Sequence, residues 1–221
     1  MKRTIIIEGK SFEYESEYLS DDTNDPMSLE TATDLLTKIK ESFDCIQLPF
    51  YLCYGTLLGA IRDKNLIQGD EDLDVFITDE TKLYKNLPFL RDFGLELIRL
   101  VPNIVYSFKT SGQGYIDVYI LSKLKWYNPW SSYCYALESK IQPKKFFDGF
   151  EEITFLGIQC LCPKNPEKLL EFWYGKSWRT PIRGHKFYYE VKTAYYWHWI
   201  RDNIIKKIIF YDRWCKYIKK K

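Results

Sequence analysis

Asp72 and Asp74 stand two residues apart in the run Asp-Leu-Asp-Val-Phe-Ile, whose composition reads as a β-strand. Strand side chains alternate faces, so Asp72, Asp74 and Phe76 share one face while Leu73, Val75 and Ile77 share the other. Such a strand sets one face into a core and carries two carboxylates side by side on the other. Carboxylates that close repel, and a divalent cation with oxygen ligands relieves the repulsion, most often Mg²⁺ where a phosphate shares the metal. Upstream, Phe50 to Cys53 reads as a short apolar strand that turns at Gly55-Thr56 into a helical turn or two through Arg62. A helix N-terminus offers unpaired backbone N–H groups to an anion. Strand, Gly-Thr, helix, loop and Asp-x-Asp strand together have the parts of a cradle for a phosphate and a metal.

Two further residues bear on that chemistry. The segment from Tyr115 to Leu121 reads as a strand with Ile116, Val118 and Ile120 toward the core and Asp117 on the opposite face with Tyr115 and Tyr119. A charged residue inside such a strand is uncommon unless paired, so Asp117 is either a third metal carboxylate from a neighbouring strand or an acid on a solvated face. Arg62 closes the helix after Gly55-Thr56, where a guanidinium either clamps a diphosphate or lies at the surface.

Taken together, Gly55-Thr56-Leu57-Leu58-Gly59-Ala60-Ile61-Arg62 and Asp70-Glu71-Asp72-Leu73-Asp74-Val75 resemble the signature of the LicD/fukutin family. A second motif supports the resemblance. Tyr174-Gly175-Lys176-Ser177-Trp178-Arg179-Thr180-Pro181 is similar to the family's closing YG-x-x-W-x-x-P pattern, so the likeness runs over about residues 50 to 181. One departure is visible: where the family usually reads Pro-Trp before its acidic run, this chain has Gln68-Gly69. The resemblance implies a nucleotidyltransferase-like fold and transfer of phosphocholine or a polyol phosphate from a CDP-activated donor to a glycan or glycolipid hydroxyl. It also implies that Asp117 is the third acid, that Asp72, Asp74 and Asp117 hold Mg²⁺ or Mn²⁺, and that Gly55, Thr56 and Arg62 meet the donor. Two rivals share the scaffold: a nucleotidyltransferase that moves a nucleoside monophosphate from an NTP, and a non-catalytic glycan- or nucleotide-binding relative.

The rest of the chain fits an α/β protein, a mixed sheet with flanking helices and a C-terminal helical element. With 221 residues, 46% hydrophobic and 28% charged, the chain is most simply one domain with a substantial core. A net charge of +2 gives no basic excess of the kind nucleic-acid binding needs. Six cysteines at 45, 53, 134, 160, 162 and 215 show no Cys-x-x-Cys spacing, so buried free thiols are expected rather than a zinc site. Only His185 and His198 exist, which leaves triad chemistry without support, and no P-loop or dinucleotide-binding glycine run is present.

Helical spacing from Ser28 through Phe43 predicts a helix, and Thr78-Asp79 predicts the cap of another running to about Leu90. Leu95–Val101 and Ile104–Lys109 read as a hairpin, Asp148-Gly149 as a hairpin turn, and Ile153–Cys162 as one strand. Pro166 opens a helix that stops at Gly175. From about 188 to 219 a basic amphipathic helix is expected, either packed on the domain or in contact with an anionic membrane surface. The N-terminal run Ile5–Ile7 is too short for a signal peptide or a membrane span, so a cytoplasmic, at most membrane-peripheral, location is the expectation.

Overall fold

The structure is a computed structural model and describes residues 1–17, 19, 26–124, 132, 134–138 and 140–181. Strands β1 (Lys2–Ile7) and β2 (Lys10–Glu15) form an antiparallel hairpin of their own. Helix α1 (Leu29–Cys45) follows, capped by Ser28, whose hydroxyl accepts the Thr31 N–H at 3.0 Å. Ala32, Leu35, Leu36, Ile39 and Phe43 make its buried stripe, the spacing expected of a helix with one apolar face. Then come β3 (Tyr51–Leu52), α2 (Tyr54–Leu58) and a π-helical turn over Gly59–Asp63. Gly59 cannot be replaced freely there, because a Cβ would sit 2.5 Å from the Asn65 carbonyl oxygen.

The acidic strand is β4 (Asp72–Ile77), followed by α3 (Glu80–Lys85), α4 (Leu87–Asp92), β5 (Glu96–Val101), β6 (Val105–Lys109) and β7 (Tyr115–Ile120). Three short strands, β8 (Ser122–Lys123), β9 (Cys134–Leu137) and β10 (Lys140–Pro143), form a small separate sheet. The hairpin β11 (Phe150–Phe155) and β12 (Ile158–Pro163) leads into α5 (Pro166–Tyr174). The main sheet has seven strands in the order β11-β12-β3-β4-β7-β6-β5. It is mixed: β4 pairs in parallel with β7 and with β12's neighbour β3 in antiparallel fashion. Helix α1 packs across β4, β7 and β12, and α2 packs on β4.

This is the mixed α/β architecture the pattern implies, with several local differences. The helix expected from Asp79 to about Leu90 is two helices. Asp79 caps α3 by accepting the Lys82 N–H at 2.9 Å, and the break falls at Asn86, just ahead of Pro88, whose ring disfavours a continuous helix. The single strand expected over Ile153–Cys162 is a hairpin. Its turn is Leu156-Gly157, with φ +51° and +78°, the paired positive values of a hairpin turn; Asp148-Gly149 instead leads into β11. Leucine at such a turn position gives no sequence signal, whereas Asp-Gly does.

Cys160 and Cys162 are buried on one face of β12, and the described cysteines are all free thiols. Among the described residues no helix is long and apolar enough to cross a membrane. The C-terminal helix expected over 188–219, with His185 and His198, lies outside the described residues.

Candidate active site

Parallel pairing of β4 with β7 puts Asp72 opposite Tyr115 and Asp74 opposite Asp117. Because facing residues in a sheet point to the same side, both acids of β4 and Asp117 emerge together. One carboxylate oxygen from each of Asp72, Asp74 and Asp117 lies within 4.8 Å of the others. Asp74 is 8% and Asp117 2% exposed, while Asp72 is half-buried.

Asp74 is fastened at three points. Its carbonyl accepts the Cys53 N–H at 3.1 Å, its own N–H is taken by Thr56 Oγ1 at 2.7 Å, and its Oδ2 accepts the Gly55 N–H at 3.0 Å. Gly55 and Thr56, expected to meet a phosphate, thus hold Asp74 in this structure: the orphan N–H at the start of α2 is satisfied by a carboxylate from β4. Glycine at 55 lets that carboxylate come close. A Cβ there would lie 3.0 Å from Asp70 Oδ2 and 3.2 Å from Asp74 Oδ2, which also places Asp70 as a fourth carboxylate at the edge of the cluster. Just before it, Tyr54 has φ +40°, a sparsely populated value for a residue with a side chain. Its ring packs between Tyr119 of β7, centroids 5.3 Å apart, and Trp173 of α5, 4.8 Å apart. Trp173 in turn donates to Gln142 Oε1 at 3.0 Å.

Asp117 is held from the other side. Ser107 Oγ donates to its Oδ1 at 2.5 Å, Tyr119 OH donates to its Oδ2 at 3.1 Å, and Arg99 Nη2 donates to the same Oδ2. Arg99 Nε also donates to Ser107 Oγ at 2.8 Å. These residues form one row across four strands, with Arg99 opposite Ser107, Ser107 opposite Asp117, and Asp117 opposite Asp74. The row exists because of a bulge. Leu97 faces Phe108 but Arg99 faces Ser107, so Ile98 is an extra residue on β5, and its carbonyl accepts the Glu17 N–H at 2.9 Å instead. Bulges re-aim side chains in this way.

Electrostatics follow from burial and crowding. Burial, then Asp117, Asp70 and Glu71, push Asp72 up to about 8, opposed by a hydrogen bond from Tyr115. Burial, then Asp72, Asp117 and Asp70, push Asp74 well up, against the Gly55 N–H. Asp117 is raised by burial and pulled back by Arg99, Ser107 and Tyr119. The buried Cys53 thiol beside them is also pushed up, by burial first and then by the acids. Arg62 stands apart. Its guanidinium donates to Asp63 at 2.8 and 2.7 Å, and no hydrogen bond among the described residues joins it to the three acids. Gln68-Gly69 form a turn with Gly69 at φ +90° in open space.

Residues 47–165, more than half of the chain, match the LicD/FKTN/FKRP nucleotidyltransferase domain. The chain belongs to the LicD/fukutin family. Similar proteins include ribitol-5-phosphate transferase FKTN of Macaca fascicularis and of Homo sapiens, each 29% identical over 177 residues. These alignments cover 76% of this LicD-family chain and 37% of each relative, so it spans little more than a third of their length. Two solved structures also align with it. The lincosamide adenylyltransferase LnuA does so at 13% identity and TM-score 0.44, covering 78% of this chain and 94% of that one. The antibiotic-resistance factor ANT(2'')-Ia does so at 14% and 0.45, covering 87% and 98%.

Sequence reasoning brought Asp72, Asp74 and Asp117 forward by parity and resemblance, with Asp70 only as part of the signature run, but it passed over Arg99 and Ser107. An arginine inside an edge strand and a serine inside the apolar run Val-Tyr-Ser-Phe were the only signals, and neither carries register.

Proposed function

We propose that this chain moves a phosphorylated alcohol, phosphocholine or a polyol phosphate such as ribitol 5-phosphate, from a CDP-activated donor to a glycan hydroxyl. The observation that carries the reading is the convergence of Asp72, Asp74 and Asp117 within 4.8 Å. Family membership and the name of the FKTN relatives support it, and that name favours ribitol phosphate. The residues fit a hard divalent cation. All three donors are carboxylate oxygens, and their spacing matches what an ion with ligands at roughly 2.1–2.4 Å spans. Burial first, and then the crowding of negative charge, pulls Asp72 and Asp74 upward, and a bound cation would offset both. Bound Mg²⁺ or Mn²⁺ would supply charge neutralisation for the diphosphate and the departing CMP.

The chain's own residues do the positioning. Gly55 and Thr56 lock Asp74, and Arg99, Ser107 and Tyr119 lock Asp117, so the donor's phosphates meet a preorganised wall. Asp72, the least buried of the three acids, is the one an acceptor hydroxyl reaches. The acceptor oxygen bonds to the phosphorus that bears the alcohol, the bond from that phosphorus to the CMP oxygen breaks, and CMP leaves with the electron pair. The hydroxyl proton passes to Asp72 and on to water.

The test is turnover with CDP-ribitol or CDP-choline, a glycan acceptor, and Mg²⁺ or EDTA. CMP should appear only with metal, the acceptor should gain the mass of the phospho-alcohol, and Asp74→Asn should lower the rate by a factor of order 10² or more. Pyrophosphate release from an NTP, with a nucleoside monophosphate left on the acceptor, would move the assignment to nucleotidyl transfer.

A further inference from the structure

The Arg99 guanidinium has five N–H donors and spends two of them inside the protein, Nε on Ser107 and one Nη2 hydrogen on Asp117. Among the described residues its Nη1 group and the second Nη2 hydrogen have no partner. The Arg99 side chain is 30% exposed, whereas Asp117 is nearly sealed at 3%, so the guanidinium is partly open to solvent beside the acid row. Its inner edge touches an oxygen of Asp117, whose carboxylate belongs to the cluster converging within 4.8 Å. A cluster of acids by itself repels a diphosphate; a fixed guanidinium at its rim gives the anion a landing point. Arg62, the guanidinium that sequence offers for this task, gives its Nε and Nη2 to Asp63, and no hydrogen bond among the described residues ties it to the three acids as Arg99 is tied to Asp117.

We propose that Arg99 is a donor-binding residue. Its Nε and Nη2 orient Asp117, and its Nη1 edge binds an oxygen of the donor's diphosphate. The bulge at Ile98 is what makes this possible, since an unbulged β5 would set Ile98, not Arg99, opposite Ser107. The proposal rests on the CDP-donor reading above and adds a residue that neither the signature motif nor the closing motif contains.

The test compares wild type, Arg99→Gln and Arg99→Lys by calorimetric binding of CDP-ribitol with Mg²⁺, binding of cytidine, and Mn²⁺ binding without nucleotide by electron paramagnetic resonance. Arg99→Gln should weaken CDP-ribitol by about tenfold or more, the scale of a lost charge-assisted hydrogen bond. Cytidine binding should not change, and Mn²⁺ affinity should move far less than donor affinity, because Ser107 and Tyr119 still hold Asp117. A merely structural role would weaken Mn²⁺ and donor together. That result in both variants, or wild-type donor affinity in Arg99→Gln, would overturn the proposal. If Arg99→Gln does not fold, Arg99→Lys decides alone: it keeps the charge beside Asp117 and removes the fork, so weaker donor binding with intact Mn²⁺ binding supports the assignment and unchanged donor binding refutes it. Failure of the wild-type protein to bind any CDP-alcohol would instead strike the donor reading, and the same comparison with pyrophosphate and Mg²⁺ then settles Arg99's part.

Discussion

Gly55→Ala should separate the stability of the fold from the competence of its site. Gly55 lies inside α2 and carries no positive φ, so its backbone accepts alanine, and a glycine-to-alanine change inside a helix is worth up to about 1 kcal/mol. Against this stands the new methyl group, 3.0 Å from Asp70 Oδ2 and 3.2 Å from Asp74 Oδ2. Both contacts are tighter than ordinary carbon–oxygen packing by a few tenths of an ångström, and Asp74 Oδ2 is the atom that accepts the Gly55 N–H. The carboxylate ends are the movable partners, so they give way and the backbone stays. A cation's oxygen ligands tolerate about 0.2 Å of error, so the same displacement that barely troubles folding degrades the metal site. Metal-free thermal unfolding should stay within a few degrees of wild type, by the usual scaling of about 2–4 °C per kcal/mol for a chain of this size, while Mn²⁺ affinity falls by about tenfold. Unchanged Mn²⁺ affinity would refute the reasoning, because it would mean that Asp74 is not wedged between α2 and its partners.

Two further outcomes follow from the same geometry. Asp72 sits at about 8 and Asp74 well above its ordinary value, while in the unfolded chain both ionise near 4, so between about pH 4 and pH 8 the folded state holds protons that the unfolded state has released. Metal-free stability should therefore fall as the pH rises through that window, read as a lower urea midpoint near pH 8 than near pH 5 in EDTA, with Mg²⁺ restoring it at the higher pH; a midpoint that climbs with pH would count against the crowded-acid account. Trp178 is 5% exposed within the core and carries Arg179 4.2 Å above its ring. Trp178→Ala should cost about 3–5 kcal/mol by urea denaturation while leaving Mn²⁺ binding measurable in the folded fraction, and a loss below about 1 kcal/mol would show that the closing motif is not part of the core.

The sequence by itself determined the elements whose information is local. Period-two alternation put Asp72 and Asp74 on one face and Asp117 on the face opposite Ile116 and Val118, and period-3.6 spacing with Ser28 as cap set α1. The signature motif was also legible, because it is a contiguous run, and it lies within residues 47–165, which match the family. Tertiary structure alone decided who meets whom. Parity says which way Asp117 points, but only the parallel β4–β7 register sets it opposite Asp74, and register is a long-range choice made by the core. Gly55 shows the same: a free helix start is the local expectation, yet Asp74 arrives from another strand and accepts the Gly55 N–H. Arg99 shows the limit most clearly. Its alignment with Ser107 depends on one extra residue in β5, and a bulge leaves no mark in composition or periodicity, since it arises from how two strands pair rather than from either strand alone.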